Sequence, residues 1–282
     1  MIKEVFALEL LVTRKCNQKC YYCSHWRDAP KYKLEVDLDY VQYVIDLFRP
    51  CVNGIEFWIS ISGGETGLVE NIVELLEILK KQNIKILLDS NGLYRLKGYP
   101  LELIDRYYEH LVFDVEDKEL KKFYELDFVY AKNVTNVIVL TRKTLQSLLK
   151  NFDYYKPLYN PFFWFKPLEH KNVSTYEDLS ELTNKFLSVL KSYKTYHISG
   201  LSRECYEKCY RYPPTPVVDV QMKTFNHCSV NFWLSNKFPV NSNTVEKFFK
   251  KQLIEEVPDY CKFCNNASCQ NYSNPIANRS LV

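Results

Sequence analysis

The 282-residue chain reads as an α/β protein, a partial (β/α)6 barrel over residues 1–200 followed by a small C-terminal domain over residues 201–282. Three observations predict this. Short β-rich runs alternate with amphipathic helical patterns through the first two thirds of the chain, the signature of βα units on a parallel sheet. A cysteine-rich loop follows the first of these runs and Gly- or Asn-containing segments follow the next two, at the strand ends where barrels carry their chemistry. Beyond Ser199-Gly200 the composition shifts to clustered cysteines and to Pro213, Pro214 and Pro216.

The candidate strands are Val5 to Thr13, Phe57 to Ser62, Lys85 to Ser90, Leu111 to Val115, Asn136 to Thr141 and Phe162 to Lys166. Between them, Asp37 to Phe48 places Val41, Val44, Ile45 and Phe48 on one helical face, and Leu68 to Gln82 does the same with Val69, Ile72, Val73, Leu76 and Leu79. Ser174-Thr-Tyr-Glu is a capping box, opening a helix with Leu179, Leu182, Phe186, Leu187 and Leu190 on one side that closes the barrel. In the C-terminal part, Val217 to Gln221 is strand-like, and Asn243 with Glu246 reaching back caps a helix.

A formal net charge of +3 with no Lys/Arg-rich block excludes a nucleic-acid surface. Lys3, Glu4 and Glu9 in and around the first apolar run are poor for a secretory signal, and no run reaches membrane-spanning length, so a cytoplasmic protein is expected. In that compartment ten cysteines point to metal or cluster ligation rather than disulfides. They form two poles, with Cys16, Cys20 and Cys23 in the first loop and six cysteines after residue 204, while Cys51 stands alone.

Cys16-x3-Cys20-x2-Cys23 brings three thiolates together, not four. A cubane iron-sulfur cluster held only by protein takes four cysteines, so a trio leaves one iron open to another ligand. The competing reading is structural zinc, which wants four ligands in paired motifs; the nearest fourth candidate, His25, is too close to Cys23 for that spacing. Strand two ends in Ser62-Gly63-Gly64-Glu65, where glycines allow the backbone to approach a ligand that a Cβ would exclude. Strand three ends in Ser90-Asn91-Gly92, a turn signal tolerant of positive φ. Asp114 and Glu116 stand at the end of strand four. Lys166, Glu169 and His170, around strand six, are candidate substrate-site residues.

These motifs together resemble the radical SAM superfamily. The resemblance implies that Cys16, Cys20 and Cys23 hold a [4Fe-4S] cluster whose free iron chelates S-adenosylmethionine. It further implies reductive cleavage of that cofactor to a 5′-deoxyadenosyl radical, with electrons from a donor such as flavodoxin or ferredoxin. Gly63, Gly64 and Glu65, flanked by Ser62, match the segment that contacts the methionine amino group; Thr66 stands where proline is usual. Ser90 and Asn91 belong to a segment similar to the family's Thr-Asn-Gly, and Tyr22 resembles the aromatic packed near the adenine.

The second pole, Cys205-x3-Cys209, Cys228 and Cys261-x2-Cys264-x4-Cys269, resembles the Twitch domain, the shortened SPASM domain, which holds an auxiliary [4Fe-4S] cluster. Its tail, Tyr-Cys-Lys-Phe-Cys-Asn-Asn, is similar to that of the butirosin-pathway radical SAM dehydrogenases. On that resemblance Cys209, Cys228, Cys261 and Cys264 are the expected ligands, with Cys205 or Cys269 as substitutes; spacing alone leaves zinc or iron-sulfur open. The family's glycine five residues before the second cysteine is Lys223 here.

An auxiliary cluster can accept the second electron of a net oxidation, whereas epimerisation would need a thiol such as Cys205 or Cys269 to return a hydrogen. The expected reaction is oxidation or epimerisation of a hydroxylated small molecule such as a sugar, favoured because the barrel begins at residue 5 and leaves no leader-binding domain ahead of it. Peptide maturation and a non-catalytic iron-sulfur or zinc protein are the alternatives.

Overall fold

The computed structural model describes residues 5–20, 23, 29–111, 134–139, 162–164, 197–199, 215–226 and 237–250, together with positions 146, 149–150, 185 and 188. Ten strands form one sheet in the order β10-β9-β8-β1-β2-β3-β4-β5-β6-β7. They are β1 Val5–Thr13, β2 Glu56–Gly63, β3 Lys85–Ser90, β4 Arg106–Leu111, β5 Val134–Val139, β6 Phe162–Trp164, β7 His197–Ser199, β8 Val217–Asp219, β9 Thr224–Asn226 and β10 Phe238–Pro239. From β8 through β1 to β7 every pairing is parallel; only β8–β9 and β9–β10 are antiparallel. Strands β1 to β7 thus lie side by side in chain order, as successive βα units require.

Helices α1 (Leu38–Phe48) and α2 (Ile72–Lys81) cover one face. Asp37 caps α1 by accepting from the Tyr40 N–H at 2.9 Å, and Val41, Val44, Ile45 and Phe48 are buried as the periodicity predicts. The second helix starts later than expected. Thr66–Leu68 is a short 3-10 turn, and the Asn71 side chain pairs with both backbone groups of Val36, at 2.9 and 2.8 Å. That pairing holds the chain out of helix until Ile72, although Val69 is still buried.

Three further expectations are corrected. Strand four runs over Arg106–Leu111 rather than starting at Leu111. Its polar residues disguise it, because Glu109 is fully buried yet bound by Arg95 through two bonds of 2.9 and 2.8 Å, the bidentate pairing that makes a buried carboxylate tolerable. Strand five starts two residues earlier than expected, at Val134 in Val134–Val139, and residues 140–141 lie outside the described residues. The C-terminal helix, α4 (Ser242–Phe249; α3 is the single turn Leu93–Leu96), is capped by Asn241, which accepts from the Thr244 N–H at 2.9 Å, not by Asn243. β7 had no strand signal in the sequence reading, and residues 165–166 of strand six lie outside the described residues.

β8 extends the sheet beyond β1, and β9 and α4 share one core with α1: Phe48 packs at 6.0 Å from both Phe6 and Phe225, and Phe248 at 5.5 Å from Phe225. The β8–β9 turn contains Lys223 at φ 54°, so the place where the resembled domain has glycine is a left-handed position here. Strain of about 1–2 kcal/mol is set against an exposed ion pair with Asp37 at 3.7 Å and a cation–π contact 4.7 Å from the Tyr40 ring, together worth about 1 kcal/mol. Lys223→Gly should therefore change stability by less than about 0.5 kcal/mol, whereas Lys223→Val, β-branched and without the ring contact, should lose about 2 kcal/mol. Urea unfolding midpoints decide this; equal losses in both variants would refute the strain argument.

Candidate functional site

The C-terminal ends of β1, β2 and β3 are tied into one unit. Leaving β1, the chain passes Arg14, which is buried with its guanidinium 3.5 Å from Asp219 on β8 and 5.1 Å from the centre of the Tyr32 ring. The Tyr32 hydroxyl donates to the same carboxylate, and the Gln221 side-chain amide donates to Val12 O at 2.8 Å and Lys33 O at 2.9 Å. This brace fixes the base of the cysteine loop two residues before Cys16, and the sequence reading passed over it because its partners lie 205 residues apart.

The end of β2 runs directly against that base. Gly64 N–H donates to Thr13 O at 2.8 Å and Glu65 N–H to Lys15 O at 2.9 Å. A Cβ on Gly63 would stand 2.3 Å from Thr13 O, and one on Gly64 2.3 Å from Lys15 O. Glycine is required at both positions, but by the chain's own backbone rather than by a ligand's approach.

Glu65 is fully buried. Its carboxylate accepts from Gly67 N–H at 2.6 Å, Ser90 Oγ at 2.7 Å and Asn91 N–H at 2.6 Å, bridging the β2 and β3 exits. Burial pushes its pKa up, outweighing the three donors that pull it down. Thr66, where the family has proline, donates its hydroxyl to Asp89 O at 2.7 Å, a bond proline could not make. Gly92 follows at φ 96°, the left-handed turn expected of Asn-Gly.

Asn91 closes the unit. Its amide donates to Asn17 Oδ1 at 2.8 Å and lies 3.8 Å from Cys16 Sγ. Cys16, Cys20 and Cys23 are each half-buried and free of disulfides; Gln18 N–H points at Cys16 Sγ at 3.4 Å, and Cys23 N–H donates to Cys20 O at 3.0 Å. Burial pushes the Cys16 thiol up to about 11, so it carries its proton at neutral pH until a metal displaces it. Among the described residues no three of His, Cys, Asp or Glu converge to metal-binding distance. The donor set nevertheless fits a cluster in its chemistry, because three soft thiols on one loop suit iron-sulfur ligation, and binding would gather them with loss of their protons.

The structure thus brings together Cys16, Gly63, Gly64, Glu65, Ser90 and Asn91, with Cys20 and Cys23 further along the same loop. Ser62 turns to the opposite face of the sheet, where it donates to Glu9; on that face His110 Nε2 also lies 2.9 Å from Asp89 Oδ1. Sequence reasoning missed Glu9, Asp89 and His110. Alternate polar residues in β4, Arg106, Tyr108 and His110, were the available signal. Tyr22, Asp114, Glu116, Lys166, Glu169, His170, Cys205, Cys209, Cys228, Cys261, Cys264 and Cys269 lie outside the described residues. No helix among the described residues is long and apolar enough to cross a membrane.

Residues 10–126, which include the cysteine loop and the β2 and β3 exits, match the model of the radical SAM superfamily. Over these residues, about two fifths of its length, the chain is similar to that superfamily. Two curated relatives, both probable GTP 3′,8-cyclases, are from Methanocaldococcus jannaschii (30% identical over 95 residues, 32% of this chain and 30% of the relative) and Methanococcus maripaludis (31% over 107 residues, 36% and 34%). The match spans about a third of the length of these relatives. Among solved structures, Streptococcus suis SuiB bound to precursor peptide SuiA matches with a TM-score of 0.61 at 14% identity, covering 94% of this chain and 70% of that one. BtrN in complex with AdoMet and 2-DOIA matches with a TM-score of 0.54 at 15% identity, covering 96% and 97%. At these identities the likeness is one of fold. The radical SAM family implies a [4Fe-4S] cluster and S-adenosylmethionine.

Proposed function

We propose that this radical SAM protein takes a hydrogen atom from a hydroxylated small molecule such as a sugar, oxidising or epimerising it. The observation that carries the reading is the hydrogen-bonded unit at the β1, β2 and β3 exits, in which Asn91 and the Gly63-Gly64-Glu65 segment hold the three-cysteine loop. Cys16, Cys20 and Cys23 would hold the cluster, and Gly63, Gly64, Ser90 and Asn91 would line the cofactor. The chemistry that cluster and cofactor supply when bound is reductive cleavage of S-adenosylmethionine and abstraction of hydrogen from the substrate. The chain's own part is positional: the Arg14–Asp219–Tyr32 brace and the Glu65 bridge keep the loop and the strand ends in one rigid frame, as aiming a reactive group demands.

An auxiliary [4Fe-4S] cluster on Cys209, Cys228, Cys261 and Cys264 would serve net oxidation; Cys205 or Cys269 could instead return a hydrogen in epimerisation, and Lys166 and Glu169 would meet the substrate. BtrN, matched along nearly its whole length, was solved with 2-DOIA, and the small-molecule reading takes support from it. SuiB with SuiA favours peptide maturation as the second reading. An electron donor such as flavodoxin or ferredoxin is the expected partner, and the cytoplasm the expected compartment.

Anaerobic reconstitution tests the proposal. The expected result is brown protein with about eight irons per chain, two cubanes, releasing 5′-deoxyadenosine under dithionite. About four irons would remove the auxiliary cluster. Stoichiometric zinc without visible absorbance would sink the enzyme reading.

A further inference from the structure

The face of the sheet turned away from α1 and α2 carries polar groups that the cluster-and-cofactor unit does not use. Leu10 pairs with Ile61 and Ile61 with Leu88, all in the helix-facing core. Side chains alternate along each strand, so Glu9, Ser62, Asp89 and His110 stand on the other face. Ser62 in β2 and Asp89 in β3 are neighbours, each one residue past the Ile61–Leu88 pair, whereas the β4 partner of Asp89 is Tyr108 and His110 stands two residues further toward the strand exit. Ser62, Asp89 and His110 form a staggered group just below the strand exits from which Gly64 and Asn91 reach the cysteine loop, closed by the His110–Asp89 contact.

None of the four belongs to the apolar core, and none is sealed. Asp89 is 21% exposed and His110 31%; Glu9 and Ser62 are half-buried. Each is already oriented by a neighbour. His110 presents Nε2 to Asp89, which leaves Nδ1 for another partner. Ser62 donates its only proton to Glu9, leaving the hydroxyl oxygen as an acceptor.

Taken with the proposed function, on which this inference rests, we propose that the group Ser62–Asp89–His110, with Glu9 behind it, recognises the hydroxyl groups of the substrate. His110 Nδ1 accepts the hydrogen bond of the hydroxyl on the reacting carbon and holds its proton, and Asp89 is the positioning residue that orients the ring. Acceptors on neighbouring strands about 4.8 Å apart, with His110 set further along, suit a small ring bearing several hydroxyls. The Asp89 carboxylate also sets a sign: it favours a neutral or amino-bearing ring and disfavours a nucleoside triphosphate, whose phosphates would meet like charge. Among the described residues of the same face, Arg106 is stacked 5.0 Å from the Trp58 ring and Lys85 is paired with Asp105 at 3.0 Å.

Saturation-transfer NMR on the reconstituted full chain with S-adenosylmethionine, using glucosamine, myo-inositol and GTP as probes, tests this. Glucosamine and myo-inositol should bind saturably and GTP should not compete. His110→Gln and Asp89→Asn should each weaken the two polyols by about tenfold or more, with Asp89→Glu recovering part of the loss and the dissociation constant for S-adenosylmethionine within about twofold of wild type. His110→Asn serves if His110→Gln melts early. Unchanged polyol binding in the variants, no saturable polyol binding in the wild type, or competition by GTP would overturn the proposal. So would a selective loss of S-adenosylmethionine affinity, which would assign the pair to the cofactor. Wild type that binds the polyols but releases no 5′-deoxyadenosine would leave the recognition surface standing and remove the radical reading.

Discussion

Replacing Cys16, Cys20 and Cys23 together by alanine should abolish release of 5′-deoxyadenosine from S-adenosylmethionine, a loss of the whole activity rather than a fraction of it. The three thiols are the only cysteines on the described strand exits, and no other side chain of the Asn91-bound loop is a soft ligand able to replace them. With the auxiliary cluster present, iron should fall from about eight to about four per chain, so the variant separates the two sites by metal content as well as by rate. The fold should survive, because the loop's base is held by Arg14, Asp219 and Tyr32 and by backbone bonds from Gly64 and Glu65, none of which involves a cysteine sulfur. Cleavage persisting in the triple variant would show that the first loop is not where the cofactor reacts.

What the sequence made legible was whatever is local. β1 and β3 have the expected bounds, α1 begins after its Asp37 cap, and the cysteine, Gly-Gly-Glu and Ser-Asn-Gly segments sit at successive strand exits. Each depends on a period or a spacing contained in a dozen residues. What escaped depends on partners far along the chain. β4 hides because Glu109 looks like a surface residue until Arg95 is placed against it. β8 joins β1 across roughly two hundred residues, and no periodicity announces such a pairing. Asn241 and Asn243 are equally good caps by residue type; the antiparallel β9–β10 pairing just ahead of the helix sets which one meets the first turn. The glycines at 63 and 64 have a reason no local pattern carries, since a Cβ at either would meet the backbone of the strand-one exit.

That distinction governs the second large effect, at Glu65. From the motif alone, Glu65→Ala should keep the fold and weaken the cofactor, because it removes a charge-assisted contact with an ammonium group. The structure leads to a different expectation. The carboxylate is fully buried and accepts three hydrogen bonds from within the chain, so truncation leaves the Gly67 and Asn91 N–H groups and the Ser90 hydroxyl without that acceptor in a buried site. Each orphaned group costs about 1–3 kcal/mol. Relief of the burial that raises the Glu65 pKa recovers part of this, leaving a net loss of about 3 kcal/mol, a large share of a typical domain's stability, and a Tm lower by about 5–10 °C. Glu65→Gln should lose somewhat less, since it keeps one acceptor but turns an amide toward donors. The Asn91 backbone is one of the three donors and its side chain is the link to Asn17 and Cys16, so the same variants should also load the first cluster poorly. Thermal unfolding of the metal-free chain separates the two accounts: if Glu65→Ala melts with wild type and only its affinity for S-adenosylmethionine falls, the carboxylate is a cofactor ligand and not the bridge between β2 and β3.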